Sequence, residues 1–139
     1  MALFEITDLQ THFFSRGTVL KAVGGVSLSI EAGEVLAGVG ESGCGKSVTA
    51  FSILGLVPNP PGRILGGSIR FEGQEPVGLP PRDMRGLRGD RFGMVFQEPM
   101  TSLNPALTAG EQVGELLVQH RGMTRRQAAA RTAAPAVPR

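Results

Sequence analysis

Residues 40–47 of this chain read Gly40-Glu41-Ser42-Gly43-Cys44-Gly45-Lys46-Ser47, and this stretch decides the fold class. It matches the pattern G-x-x-x-x-G-K-[S/T] at every fixed position. The glycines let the backbone curl so that successive N–H groups point inward, where they can bind phosphate oxygens. Lys46 can then reach the β- and γ-phosphates, and the Ser47 hydroxyl can ligate Mg²⁺. A helix that begins here adds its positive N-terminal dipole to the same anion site.

The segments on either side of this loop support the same interpretation. Residues 35–39 form a short apolar run, which predicts a buried parallel strand. After the loop, apolar residues from Val48 to Leu56 predict a helix that ends near Gly55 and Pro58. Phosphate binding requires this order of strand, glycine-rich loop and helix. We therefore predict a nucleotide site rather than a fortuitous glycine-rich turn.

The composition indicates a folded α/β segment with many turns. A chain of 139 residues is expected to form one domain at most. It contains 20 Gly and 10 Pro, which cluster at breaks between stretches that keep an apolar periodicity. With seven Phe and no Trp or Tyr, its core must be mainly aliphatic.

The positive charge is carried mostly by arginine, and the net charge is only +2. Four arginines recur at intervals of three residues, namely Arg82, Arg85, Arg88 and Arg91. This pattern fits either a phosphate-binding stripe or a solvated helical face or loop. We favour the solvated face, because no aromatic residues alternate with the arginines to stack on bases. No nucleic-acid partner is expected.

The single cysteine and the N-terminal residues indicate the cellular compartment in which the chain is expected. One cysteine excludes an internal disulfide and is typical of a reducing environment. The first residues carry neither a basic segment nor an apolar one, so no secretory signal is predicted. The longest apolar stretch, residues 48–57, is too short to span a bilayer. Any membrane role is expected to come through a partner.

Further elements follow from periodicity and turn residues. Residues 58–67 are rich in Pro and Gly and predict a loop. Two S/T-x-x-[E/Q] segments, Thr108 to Glu111 and Thr124 to Gln127, predict capping boxes at the starts of two helices. In the first of these helices Val113, Leu116, Leu117 and His120 form one apolar stripe, and His120 is interpreted as a partly buried helix residue rather than a metal ligand. Strands are predicted at residues 3–14, 26–30, 68–71 and 92–96.

The phosphate loop and a second segment, Met94-Val95-Phe96-Gln97-Glu98-Pro99-Met100-Thr101-Ser102-Leu103-Asn104-Pro105, together resemble the ATPase subunits of ABC transporters. The resemblance is strongest to the branch serving oligopeptide, dipeptide and nickel importers, and it covers residues 3–130. Gln97 follows Lys46 by 51 residues, close to the separation of these motifs in the family. The implied fold is an α/β P-loop NTPase of the ABC ATPase type, present in part: the N-terminal β-rich subdomain with the start of the core and helical subdomains.

The resemblance also implies roles for individual residues. Phe13, expected on the turn after the first strand, matches the aromatic that stacks on adenine; Phe14 is a possible substitute, and an ordinary core Phe is the alternative. Gln97 matches the residue that touches Mg²⁺ and the attacking water, as Ser47 matches the other Mg²⁺ ligand. Residues 99–105 and the helix from Ala109 match a surface that docks a permease.

The implied cofactors are ATP and Mg²⁺. The implied partners are the transmembrane permease subunits and a second ATP-binding subunit. The protein would lie on the cytoplasmic face of the cell membrane and reach the membrane only through the permease. Cys44 occupies a variable position of the loop, where a catalytic thiol is not expected.

Some motifs of the family do not occur in these residues. No L-S-G-G-Q-type signature loop, no apolar strand ending in Asp-Glu and no switch His follow Gln97. We therefore expect residues 1–131 to be the N-terminal part of an ABC ATPase domain and residues 132–139 to be a disordered Ala/Pro/Arg tail. The isolated chain is predicted to be inactive as an ATPase. Three hypotheses stay open: a truncated importer ATPase, a non-functional gene fragment that binds nucleotide weakly or not at all, and a soluble ABC ATPase acting on nucleic acid or the ribosome.

Overall fold

A computed structural model describes residues 2–98 and 102–133 of the chain. These residues form two compact units, one up to Met84 and one from Arg85 onward. The first contains a sheet and the helix that follows the phosphate loop, and the second is helical. No helix among the described residues has both the length and the apolar character needed to cross a membrane.

The sheet of the first unit has three antiparallel strands in the order β2-β1-β3. They are β1 (Phe4–Ser15), β2 (Thr18–Ile30) and β3 (Gly62–Phe71). The predicted opening strand is confirmed as β1, and residues 26–30 are confirmed as the second half of a longer β2. The loop predicted at residues 58–67 is wrong from Gly62 onward. Glycines there suggested a turn, but Gly62, Gly66 and Gly67 lie in β3 where its backbone pairs closely with β1.

A bulge crosses the sheet at Asp8. Asp8 has a φ of 47°, and Gly25 on β2 and Gly67 on β3 have φ values of 94° and 87°. The pairing register shifts at the same level on both sides of β1. Because an extra residue changes which side chains face inward, Phe4 and Ile6 are buried before the bulge and Leu9 and Thr11 after it. The bulge therefore decides which residues of β1 reach the phosphate-loop helix.

That helix, α1 (Lys46–Ile53), packs on the buried face of the sheet. Its Ser52 hydroxyl lies 2.8 Å from the Thr11 hydroxyl, and both side chains are fully buried. Ser52 also donates to the Val48 carbonyl at 2.7 Å. The two hydroxyls satisfy each other in a mainly apolar core, so they fix one position of α1 along β1.

Two predicted strands, at residues 35–39 and 92–96, are wrong. Neither segment forms a strand beyond a single bridge between Phe92 and Arg88. Val35, Val39 and Val95 are 93%, 92% and 97% exposed. A parallel strand takes its hydrogen bonds from neighbours on both sides and is buried by them. Residues 2–98 and 102–133 provide no such neighbours for either segment.

The helices beyond the sheet are α2 (Pro81–Leu87), α3 (Ala109–Arg121) and α4 (Arg125–Ala133). α2 crosses the division between the units. Arg82 and Arg85 on it are exposed, as expected for a solvated helical face, whereas Arg88 and Arg91 lie beyond its end and Arg88 is half-buried. α4 continues through Thr132 and Ala133, two residues beyond its predicted end, because nothing breaks the helix before Pro135. Residues 134–139 of the predicted tail lie outside the described residues.

Both capping boxes are confirmed. The Thr108 hydroxyl accepts from the Glu111 N–H at 3.2 Å, and the Thr108 N–H donates to the Glu111 carboxylate at 2.8 Å. These hydrogen bonds, first the one from the Thr108 backbone, lower the pKa of the Glu111 carboxyl. Thr124 and Gln127 form the second box, with hydrogen bonds of 2.9 and 3.3 Å. Local side-chain patterns therefore predicted both helix starts correctly.

The apolar stripe predicted on α3 does not form the contact with α4. Val113 and Leu116 are 54% and 49% exposed, whereas Gly114 is buried. A Cβ on Gly114 would lie 3.6 Å from the Ala128 Cβ, so α3 and α4 meet through small residues. His120 is half-buried, as expected.

Candidate nucleotide-binding site

The phosphate loop, residues 40–47, is exposed and leads directly into α1. Gly43 and Gly45 adopt left-handed φ values of 81° and 92°, which L-residues with side chains rarely adopt. At Gly45 a side chain is excluded for a second reason, because a Cβ there would overlap the carbonyl oxygen of Ala22 on β2. The two glycines therefore shape the loop and allow its end to pass close to the sheet.

The start of α1 is suited to an anion. Gly45 is the N-cap and has no side chain to occupy the first N–H groups of the helix. The first turn contains no acidic residue. The Thr49 N–H and hydroxyl both donate to the Gly45 carbonyl at 2.9 Å, which closes the first turn. The N–H groups and the dipole of the helix are thus directed at the space in front of the loop.

The Lys46 side chain folds back over the loop. Its Nζ donates to the carbonyl oxygens of Gly40 at 2.6 Å and Glu41 at 2.8 Å, and to Cys44 Sγ at 3.2 Å. A full positive charge is therefore held inside the curl of the backbone. Phosphate oxygens entering the loop would compete with these neutral acceptors and form stronger, charge-assisted hydrogen bonds with the ammonium.

Cys44 is exposed, and its thiol shares this environment. The hydrogen bond from the Lys46 ammonium lowers the pKa of the thiol below its ordinary value, with further contributions from backbone hydrogen bonding and the charge of Lys46. At neutral pH a larger fraction of the thiol is therefore ionised. The thiolate is the reactive form, so Cys44 is a sensitive reporter of whether the loop is occupied.

We expect Mg-ATP to slow the reaction of Cys44 with a maleimide, because a nucleotide in the loop would cover the sulfur. In the Lys46→Ala variant the thiol pKa should rise, since the donated hydrogen bond is lost, and labelling at pH 7 should slow without nucleotide. Mass spectrometry of timed samples measures both rates, and Cys44 is the only cysteine in the chain. Equal rates with and without Mg-ATP would contradict the placement of the nucleotide.

Ser47 lies in the first turn of α1 and is exposed. Its hydroxyl is the kind of oxygen ligand that Mg²⁺ accepts together with phosphate oxygens and several waters. Within residues 2–98 and 102–133 no group of three or more His, Cys, Asp or Glu side chains is arranged to hold a metal ion. A magnesium ion at this loop would therefore depend on the nucleotide phosphates for much of its coordination.

The expected position of Phe13 on a turn is wrong, because β1 continues to Ser15 and Phe13 pairs with Leu20 and Gly62 inside the sheet. The two candidate rings lie on opposite faces. Phe13 shares the face of Thr11, which contacts α1, and is half-buried. Phe14 is on the other face, 40% exposed, with the Arg63 guanidinium 5.7 Å from its ring centroid. The geometry favours Phe13 as the ring on the side of the phosphate loop.

Gln97 is exposed and belongs to the second unit, so its role toward the nucleotide stays a prediction.

In the segment expected to dock a permease, residues 99–101 lie outside the described residues. Gln112, which sequence reasoning missed, holds the rest of that segment against α3. Its side-chain oxygen accepts from the Asn104 N–H at 2.8 Å, and its amide nitrogen donates to the Asn104 carbonyl at 3.0 Å. Only the fold could reveal this pair, since a lone Gln on a helix carries no signal.

Comparison with known proteins agrees with the loop geometry. The family model described as ABC transporter matches residues 23–137. The chain belongs to the ABC transporter family. A probable peptide ABC transporter ATP-binding protein of Sinorhizobium fredii, y4tR, is 46% identical over 126 residues, and so is the oligopeptide transport ATP-binding protein AppD of Bacillus subtilis. Each alignment covers 91% of this chain and 38% of the relative.

A solved structure shows the same fold. The ATP-binding cassette MJ0796, determined as a dimer in a post-hydrolysis state bound to ADP and Pi, superposes with a TM-score of 0.79 at 26% identity. The match covers 93% of this ABC family chain and 53% of MJ0796. The predicted fold class, an α/β domain of the ABC ATPase type represented in part, is confirmed. The chain spans well under half the length of the two curated relatives above.

Proposed function

We propose that this chain is the nucleotide-binding part of an ABC transporter ATPase subunit and that it binds ATP with Mg²⁺. The observation that carries the proposal is the Lys46 ammonium, which lies among the carbonyls of Gly40 and Glu41 in front of a helix start without side-chain cap. A cation, uncapped N–H groups and a helix dipole converge there on one place, as phosphate binding requires.

Each residue of the site then has a distinct task. The N–H groups of residues 40–47 bind phosphate oxygens, and Lys46 exchanges its carbonyl partners for the β- and γ-phosphates. Ser47 supplies a Mg²⁺ ligand, and Phe13 stacks on the adenine. Gln97 would be a further contact for Mg²⁺ and would position the attacking water. Bound Mg²⁺ would neutralise charge that develops on the phosphates during transfer.

We further propose that the ATPase serves uptake of peptides or similar solutes. The relatives from S. fredii and B. subtilis carry names of peptide transport proteins, and the segment around Gln97 matches the same branch. The partners would be permease subunits and a second ATP-binding subunit, and MJ0796 was solved as a dimer. The protein would then lie on the cytoplasmic face of the membrane. A soluble ABC ATPase acting on nucleic acid is disfavoured by that segment.

A Lys46→Ala substitution tests the transport proposal in cells when it is made in a subunit that also contains a signature loop and a catalytic carboxylate, since the 139-residue chain alone is not expected to hydrolyse ATP. Uptake of a labelled tripeptide by whole cells should fall, because the nucleotide would no longer be held. Lys21→Ala removes the same charge from an exposed position of β2 and should leave uptake unchanged. Equal uptake in both variants would contradict a role in peptide import.

The isolated 139-residue chain is expected to bind Mg-ATP without hydrolysing it. Hydrolysis in this family needs a catalytic carboxylate and a signature loop, and neither motif occurs in these residues. Phosphoryl transfer depends on positioning and electrostatic stabilisation, so the loss of several such groups together should be severe. Phosphate release by the purified chain should equal that of Lys46→Ala, which serves as the contamination control. Robust release from the wild type alone would overturn this prediction.

A further inference from the structure

Gly62 on β3 leaves the space that the ring of Phe13 occupies. The two residues are directly opposite each other in the antiparallel pairing. A Cβ on Gly62 would lie 2.9 Å from Phe13 Cε1, 3.0 Å from the Pro58 carbonyl oxygen and 2.5 Å from Val57 Cγ1. Gly62 is buried, and its φ is outside the left-handed region. Space, rather than backbone conformation, is therefore what a glycine provides at this position.

The backbone around Gly62 ties this space to the phosphate-loop helix. The Gly62 N–H donates to the Pro58 carbonyl at 2.7 Å, and the Phe14 N–H donates to the Pro61 carbonyl at 2.9 Å. The segment between α1 and β3 thus returns from the end of α1 to the same part of β1. At its other end α1 begins in the phosphate loop. Helix α1 therefore connects the phosphate loop, at its start, to the segment that packs beside the Phe13 ring, after its end.

We propose that Gly62 is a positioning residue for base recognition: its missing side chain sets the ring of Phe13 so that it stacks on the adenine of a bound nucleotide. Val57 closes the other side of the same gap. A Cβ at Gly62 would lie closer to both the Phe13 ring and Val57 than real Cβ contacts allow, so both must move away from it. This inference rests on the proposed nucleotide binding and concerns affinity for the base, not for the phosphates.

The test compares Mg-ATP with Mg-tripolyphosphate, which has the phosphates without the base. Titration calorimetry measures both affinities for the full chain and for Gly62→Ala. Gly66→Ala is the matched control: it lies on the same strand, its φ is outside the left-handed region, and the nearest atom to its Cβ would be Gln10 Cδ at 3.8 Å. Phe13→Leu removes the ring itself. Circular dichroism checks that each variant keeps its fold.

Stacking of a base on an aromatic ring raises the affinity at least about fivefold, so Phe13→Leu should lower the affinity for Mg-ATP by that factor. Gly62→Ala should weaken Mg-ATP by about threefold or more while its affinity for tripolyphosphate stays within about twofold of wild type. Gly66→Ala should match wild type for both ligands. The double variant Phe13→Leu/Gly62→Ala should bind Mg-ATP no more weakly than Phe13→Leu, because the same interaction is already lost.

Unchanged Mg-ATP affinity in Gly62→Ala overturns the inference, and so does an equal loss for both ligands, which would indicate damage to the phosphate loop. If Gly62→Ala does not fold, Val57→Ala decides, because it loosens the same gap without adding atoms. A selective loss for Mg-ATP then supports the role of the gap, and no loss overturns it. If the wild type binds neither ligand, the proposed function fails and the inference fails with it. If the wild type binds tripolyphosphate but Phe13→Leu keeps the wild-type affinity for Mg-ATP, the inference is wrong while the proposed phosphate binding stands.

Discussion

Replacing Lys46 with alanine is expected to lower the affinity of the chain for Mg-ATP at least about tenfold, because a charge-assisted hydrogen bond contributes about 1.5–3 kcal/mol. The ammonium donates to the carbonyls of Gly40 and Glu41, at 2.6 and 2.8 Å, and would exchange these neutral acceptors for phosphate oxygens. Its removal also leaves these carbonyls without their donor, so the free loop should become less ordered. Titration calorimetry with Mg-ATP measures the loss.

The only other lysine in the chain provides the control. Lys21 is exposed on β2, so Lys21→Ala changes the net charge by the same amount away from the loop. A general loss of positive charge would weaken binding equally in both variants. If Lys46→Ala keeps the wild-type affinity, or if Lys21→Ala loses as much, the assignment of the loop is wrong.

Replacing Gly45 with alanine is expected to destabilise the first unit by about 2–5 kcal/mol, and Gly43→Ala by only about 1–2 kcal/mol. Both residues have left-handed φ values, so both substitutions strain the backbone. Only at Gly45 does the added Cβ also overlap the Ala22 carbonyl oxygen, whereas no atom lies within 4 Å of a Cβ at Gly43. Overpacking of that kind must move either the loop or β2.

Urea denaturation followed by circular dichroism measures both free energies of unfolding. If the N–H groups of the loop bind the phosphates as proposed, Gly45→Ala should also abolish Mg-ATP binding, whereas Gly43→Ala should weaken it. If the two variants unfold at the same urea concentration, the close approach of Gly45 to Ala22 does not contribute to stability.

Features that depend on a few neighbouring residues could be predicted from the sequence. The phosphate loop and α1 follow from glycines, a lysine and an apolar run within one short stretch. The helix starts at Thr108 and Thr124 follow from side chains three residues apart that bond each other's backbone. These interactions are complete within one turn, so they need no information about the rest of the fold.

Features that depend on distant partners could not be predicted in the same way. The apolar runs at residues 35–39 and 92–96 read as buried strands, but a strand forms only beside another strand. Residues 68–71 were predicted as a strand and form the end of β3, but residues 62–67 were missed from the opposite cause. Glycines there suggested a turn, although the small size of Gly62 and Gly67 is what lets the strand lie so close to β1. Apolar residues indicate that a segment is buried, and glycines indicate that it is flexible, but neither shows which strand the segment pairs with.

The choice between Phe13 and Phe14 shows the same limit at the site itself. Simple alternation from the buried residues Phe4 and Ile6 would place Phe14 on the buried face. The bulge at Asp8 inserts a residue and reverses the alternation, so Phe13 is on the side of α1 instead. A single left-handed aspartate in the middle of a strand gives no clear signal in the sequence. Only the structure therefore shows that Phe13, rather than Phe14, lies on the face that contacts α1.

Amide chemical shifts can show whether the loop at residues 40–47 binds the phosphates of a nucleotide. Two-dimensional ¹H–¹⁵N NMR spectra of the labelled chain would be recorded while Mg-ATP is added. We expect the largest shift changes at the amides of residues 40–47 and of the first turn of α1, and no change at the amides of α4 in the second unit. Saturating Mg-ATP that leaves the loop amides unshifted, or that shifts mainly amides outside the first unit, would contradict phosphate binding by this loop.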